Sequence, residues 1–166
     1  MSQIKWNGDE FLADLADAIQ DGLEVVGVNM SDAYGDVLSR QASNKTAKGG
    51  KPSQPGQPPA KDTGTLAGSI SYQVGKGNVQ VGVASGSPAA KYALVMEYGS
   101  RGPIKPKTAK MLSWVDKFTG KRIFAKSVTI AARPWLRPTL RKERGRINDW
   151  FRRGVSASPK MRRWLD

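Results

Sequence analysis

Cysteine and histidine are both missing from this 166-residue sequence. Disulfide scaffolding, thiolate and imidazole metal sites, and Ser-His or Cys-His nucleophilic machinery are therefore excluded, and most ordinary enzyme chemistry goes with them. Long apolar stretches are missing too. The longest uninterrupted run, residues 92–96, falls far short of the roughly 20 residues that span a bilayer, so neither a transmembrane helix nor a membrane partner is expected. Met1-Ser2-Gln3-Ile4-Lys5-Trp6 lacks the apolar segment of a signal peptide, which points to a protein made and kept in the cytoplasm. Acids are scarce: 14 Asp and Glu face 27 Lys and Arg, for a net charge of +13. The length suffices for one domain with a real core but not for two.

The charge that is present is polarised. Residues 1–42 hold eight acids and two bases (net −6), residues 43–100 two and six (+4), and residues 101–166 four and nineteen (+15). Such asymmetry serves either head-to-tail attraction between protein surfaces or phosphate binding by the basic half.

Periodicity predicts an amphipathic helix over residues 9–38. Phe11, Leu15, Ile19, Leu23, Val26, Met30, Tyr34 and Val37 recur at steps of three and four, with Glu10, Asp14, Asp17, Asp21 and Glu24 opposite and Asp9 as the N-cap. Gly22, Gly27 and Gly35 each cost roughly 1 kcal/mol in a helix interior, so packing must hold this helix or it breaks near one of them. A hairpin follows: Ile70, Tyr72 and Val74 alternate with polar residues, residues 75–78 supply the turn, and Val79, Val81 and Val83 return. Residues 89–98 read as a second helix ended by Gly99. Residues 111–115 and 122–128 form a second hairpin around a loop at 116–121, and residues 134–138 open a third helix. Its apolar seam is Leu140, Ile147, Phe151 and Val155, set among arginines. The expected fold is α+β: an antiparallel sheet of about four strands, made of two hairpins and packed by a long N-terminal helix, a middle helix and a basic C-terminal helix. One domain would cover residues 1–155, followed by a loosely held basic tail at 156–166. Residues 43–62, with four Pro, three Gly, four Lys and no large apolar side chain, cannot order themselves and are expected to be disordered or ordered by a partner.

Three strings stand out in order. They are Asp62-Thr63-Gly64-x-Leu66-x-x-Ser69-Ile70, then Tyr92-Ala93-x-x-x-Glu97-Tyr98-Gly99-Ser100, then Ala132-Arg133-Pro134-Trp135-Leu136-Arg137-Pro138-x-Leu140. Physics gives them jobs. Gly64 and Gly99 mark positive φ or close backbone approach, Pro134 and Pro138 fix two φ angles and an extended lead into the last helix, and Trp135 with Leu136 is an anchor between helix and sheet or between subunits. Glu97, a lone acid in a basic region, is expected to pair with a nearby arginine.

Taken together, over roughly residues 9–155, the strings resemble the small neck or tail-completion proteins of long-tailed bacteriophages, found where the DNA-filled head joins the tail. Ser100, Trp135 and Thr139 stand where the usual pattern has Thr, Phe and Ala, and the hairpin of residues 105–131 varies among such proteins. The resemblance implies a virion protein without catalytic residues or cofactor, one subunit of a ring around the DNA channel, sixfold to match the tail. Its implied partners are further copies, the adjacent head-closure, tail-terminator or tail-tube proteins, and packaged DNA.

Three function classes follow. The first is this structural connector, in which the acidic face of Asp14, Asp17 and Asp21 would meet Arg137, Arg141 and Arg144 on an adjacent subunit. The second is nucleic-acid binding by the Arg-rich C-terminal helix, with Arg152, Arg153, Arg162 and Arg163 facing DNA and Trp150 and Trp164 stacking on bases. The third, an enzyme, survives only as carboxylate chemistry, and beyond the N-terminal stripe Asp62, Glu97, Asp116, Glu143, Asp149 and Asp166 are scattered without pattern.

Overall fold

The first helix, α1, runs unbroken from Gly8 to Arg40. The computed structural model describes residues 7–40, 53–116 and 119–165. Asn7 rather than Asp9 caps α1: its carbonyl accepts the Phe11 N–H at 3.1 Å, and its side chain donates to Glu10 Oε2 at 2.8 Å. Asp9 and Glu10 then lie in the first turn, where the helix dipole favours acids, and Arg40 in the last.

The buried face of α1 differs from the expected one. Asp14, Ala18, Gly22, Val26, Met30, Tyr34 and Leu38 follow one another at four-residue steps and are all buried, while Phe11, Leu15, Ile19 and Leu23 are half-buried along the flank. Close approach by another helix selects small residues. A Cβ on Gly22 would lie 2.8 Å from Val155 Cγ2 and 2.9 Å from Phe151, and one on Gly154 would lie 2.6 Å from the Gly22 Cα. A Cβ on Gly27 would run into the Tyr72 ring, whereas one on Gly35 would have nothing within 4 Å among the described residues. Two of the three glycines that weaken α1 locally are thus where its neighbours touch it. Gly154→Ala is expected to destabilise the fold by about 1–3 kcal/mol through overpacking against backbone. Gly35→Ala should stabilise it by about 0.4–1 kcal/mol, with urea denaturation measuring both.

The remaining elements are β1 (Ile70–Gly75), β2 (Asn78–Val83), α2 (Ala90–Tyr98), β3 (Leu112–Val115), β4 (Arg122–Ala125), α3 (Leu136–Ala157) and α4 (Pro159–Leu165), with a short 3-10 turn at Ala67–Ser69. The chain is α+β, but the expected four-stranded sheet is two separate two-stranded ones, β1-β2 and β3-β4. In the second, Leu112 pairs with Ala125, Ser113 with Phe124, Trp114 with Ile123 and Val115 with Arg122, and an isolated bridge joins Ile104 to Val128 further down. Alternation in the sequence marks strands without saying which strands meet.

The chain forms two compact units. One is drawn from Met1–Asp32, Tyr72–Val81 and Lys142–Asp166, the other from Ala33–Ser71 and Gly82–Arg141. In the first unit Trp150 is buried and Phe11 meets Trp164 edge-on, with centroids 5.3 Å apart. The expected C-terminal tail is largely helix: Ser158 is buried, Pro159 stops α3 and starts α4, and the carbonyl of Ser158 accepts from Met161 and Arg162. The seam on α3 also shifts, because Leu140 is exposed while Thr139, Glu143, Trp150 and Gly154 are buried. Pro138 lies inside the first turn of α3, where its missing N–H costs nothing.

In the second unit Tyr34, Leu38, Leu66, Ala89, Ala93 and Trp135 are buried together with Pro59. Residues 43–52 of the segment expected to stay disordered lie outside the described residues. Residues 53–62 are tied down by hydrogen bonds as well as by the burial of Pro59. Gly56 N–H donates to Ala132 O at 2.9 Å, and Arg133 Nε donates to the Ser53 carbonyl and hydroxyl at 3.2 and 3.1 Å.

Candidate functional site

The second and third strings meet at one carboxylate. Glu97, on the last turn of α2, is buried. Its Oε2 accepts the backbone N–H groups of Trp135 and Leu136 at 2.8 and 2.9 Å, and its Oε1 accepts the N–H and Nε of Arg137 at 3.2 and 3.1 Å. These N–H groups open α3 and have no partner within it, so α2 supplies the cap of another helix. The arginine expected for Glu97 is Arg137, within the same chain, although the backbone contributes most of the bonds. Burial pushes the Glu97 carboxyl up, but the three N–H donors and the Arg137 guanidinium outweigh it and hold the group below the ordinary glutamate value. The same guanidinium lies 4.4 Å from the centre of the Tyr98 ring.

Gly99 completes this junction. It ends α2 at φ +75° with its N–H on Val95 O, and a Cβ there would meet Ile130 O at 2.8 Å and Ala132 N at 2.9 Å. Ser100 continues the contact: its N–H donates to Ile130 O and its Oγ accepts the Ile130 N–H. Trp135 is 1% exposed and packs edge-on against Tyr34 with centroids 5.7 Å apart, while Leu136 and Pro134 are half-buried and Pro138 is exposed.

The first string lines a cavity of about 430 Å³, to which Asp62, Gly64 and Leu66 contribute with Leu38, Tyr92 and Met96. Gly64 has φ +82°, Leu66 and Ser69 are buried, and Ser69 Oγ donates to Thr65 O at 2.6 Å. Compared with protein-family models, with curated proteins and with solved structures, the chain matches none significantly.

The charged residues expected at interfaces divide. Asp14, expected on the outward acidic face, is 4% exposed. It accepts from Arg163 through Nε at 2.6 Å and through a terminal nitrogen, and from the Trp164 indole N–H at 2.8 Å. The indole, and after it the guanidinium of Arg163, hold this carboxyl below the ordinary aspartate range against the opposing effect of burial. Arg163 also pairs with Glu10 at 2.8 Å, and Lys160 lies 3.7 Å from Asp17. Asp14 and Arg163, assigned from the sequence to a subunit contact and to DNA, therefore meet each other, and Arg137 meets Glu97. Asp17, Arg141, Arg144, Arg152, Arg153 and Arg162 are exposed, and Asp21 is half-buried. Among the described residues, no group of three or more Asp or Glu is placed to hold a metal ion, and no helix is long and apolar enough to cross a membrane.

Sequence reasoning missed the exposed apolar surface of the second unit. Leu94, Tyr98 and Ile104 line an open groove of about 870 Å³ beside Arg101. The β3-β4 hairpin adds Trp114, Val115, Ile123 and Phe124, all exposed. A signal was present: Trp114-Val115 and Ile123-Phe124 are adjacent apolar pairs, which put large side chains on both faces of each strand.

Proposed function

We propose that this chain is a structural subunit of a bacteriophage head-tail connector or tail end, one that assembles as a ring and docks to neighbouring neck and tail proteins around the DNA channel. The observation that carries the reading is the β3-β4 hairpin, whose apolar side chains face outward on both sides. A two-stranded ribbon of this kind is at best marginally stable in water and marks a surface to be covered by protein. The three strings support it as well, since the second and third lock α2 to the start of α3 and the first lines the neighbouring cavity. All three thereby shape the unit that presents the hairpin.

Nucleic-acid binding by the last helices is the weaker reading, because Trp150 is buried and Trp164 is bonded to Asp14 and packed on Phe11. Neither indole is presented for stacking on a base. The assembly reading is tested by size-exclusion chromatography and native mass spectrometry with the adjacent head-closure and tail-tube proteins present. A co-migrating oligomer is expected. A monomer that stays unattached would overturn the assignment.

A further inference from the structure

The β3-β4 hairpin has two apolar faces. Trp114 and Ile123, paired across the strands, share one, and Phe124 and Val115 share the other; Phe124 is 57% and Val115 53% exposed. Around them the chain is strongly basic, with eight Lys and Arg against one acid over residues 101–131. A surface that covers this ribbon must be apolar and acidic at once.

The outward face of α1 has that composition. Leu12, Ala16, Gln20, Glu24, Val28 and Asp32 follow at four-residue steps, offset by two residues, and so by about 200°, from the buried line. Leu12 is 61% exposed, and Val28, Glu24 and Asp32 are exposed with it. Residues 7–40 hold eight acids and one base. The dimensions agree: β3 and β4 are four residues each, about 13 Å of ribbon, and Glu24 to Asp32 spans about 12 Å of helix.

We propose that the β3-β4 hairpin of one copy docks along the outward face of α1 of a second copy. Its apolar side chains would cover Val28, with Lys121 and Arg122 set against Glu24 and Asp32. The contact rests on the self-assembly reading above and names its surfaces. Because the two surfaces differ, the interface is head-to-tail, the kind that generates rings. DNA is the less fitting occupant, since Val115, Ile123 and Ile104 are aliphatic and gain nothing from phosphate or from base stacking.

The absence of cysteine makes the contact directly testable on the full chain. Val28→Cys and Phe124→Cys proteins, prepared separately and mixed under mild oxidation, should give the mixed disulfide in preference to either homodimer. Glu24→Lys with Asp32→Lys should weaken self-association at least about tenfold, and so should Lys121→Glu with Arg122→Glu. Mixing the two charge-reversed proteins should restore it. All four positions are exposed, and unchanged circular dichroism and melting temperature would confirm folding. Assembly that survives both reversals would overturn this contact and leave the connector reading standing. A wild-type chain that never self-associates, even beside its neck partners, would overturn both. A Lys121→Glu, Arg122→Glu protein that loses binding to duplex DNA but keeps its self-association would assign the hairpin to nucleic acid instead.

Discussion

Replacing Glu97 by alanine is expected to lower folding stability by about 3–5 kcal/mol, the cost of removing one partner from a buried, charge-assisted network. Four donors lose their acceptor together, and three of them are backbone N–H groups of residues 135–137 that the start of α3 cannot pair. Glu97→Gln should fall between wild type and alanine, because one amide oxygen remains while the amide nitrogen faces a donor. Urea denaturation with an unchanged slope would measure both. The pH dependence has a definite sign. The folded carboxyl titrates below its ordinary value of 4.5, so its contribution is complete above that value and is lost as pH falls through the lowered folded one. The gap between wild type and Glu97→Gln should therefore narrow in acid; a gap of constant size would show that the carboxylate charge is not what holds the start of α3.

Trp135→Ala carries a comparable expected loss, about 3–5 kcal/mol, because an almost fully buried indole leaves a cavity between α3 and Tyr34. Trp135→Phe should cost far less than the loss of ring area suggests. The indole N–H is buried with no hydrogen-bond partner among the described residues, and leaving such a donor unpaired costs about 1–3 kcal/mol that phenylalanine would not incur. Thermal unfolding of the two variants side by side tests this. Equal losses would mean that the N–H is satisfied in solution.

The local elements were legible. The limits of α1 and α2, the turn at Gly77, the stop at Gly99 and both hairpins follow from periodicity and from where glycine falls. The side of α1 that packs did not. Large apolar residues dominate a helical pattern read by eye, yet the tightest helix crossing uses Ala18, Gly22 and Gly154, and Asp14 sits on the same line because its partners compensate its burial. Those partners are 149 and 150 residues away, a distance at which no local pattern speaks. Glu97 was recognised as a paired acid, but its chief partners are backbone groups, which leave no mark in the sequence. The separation of the two hairpins was hidden for a related reason: alternation reports that a strand has two kinds of face, and Trp114-Val115 beside Ile123-Phe124 was the one hint that neither face of the second hairpin is covered.

The first unit is assembled from three stretches of chain far apart in order of synthesis, Met1–Asp32, Tyr72–Val81 and Lys142–Asp166. During translation α1 emerges early, with its glycine crossing bare and the Asp14 carboxylate facing water. It waits until residues 154 and 163 have emerged before Gly154 closes on Gly22 and the Arg163 guanidinium reaches Asp14. Local helix can form on the ribosome, but the nascent chain gains the native arrangement of this unit only once the stretch Lys142–Asp166 has been made.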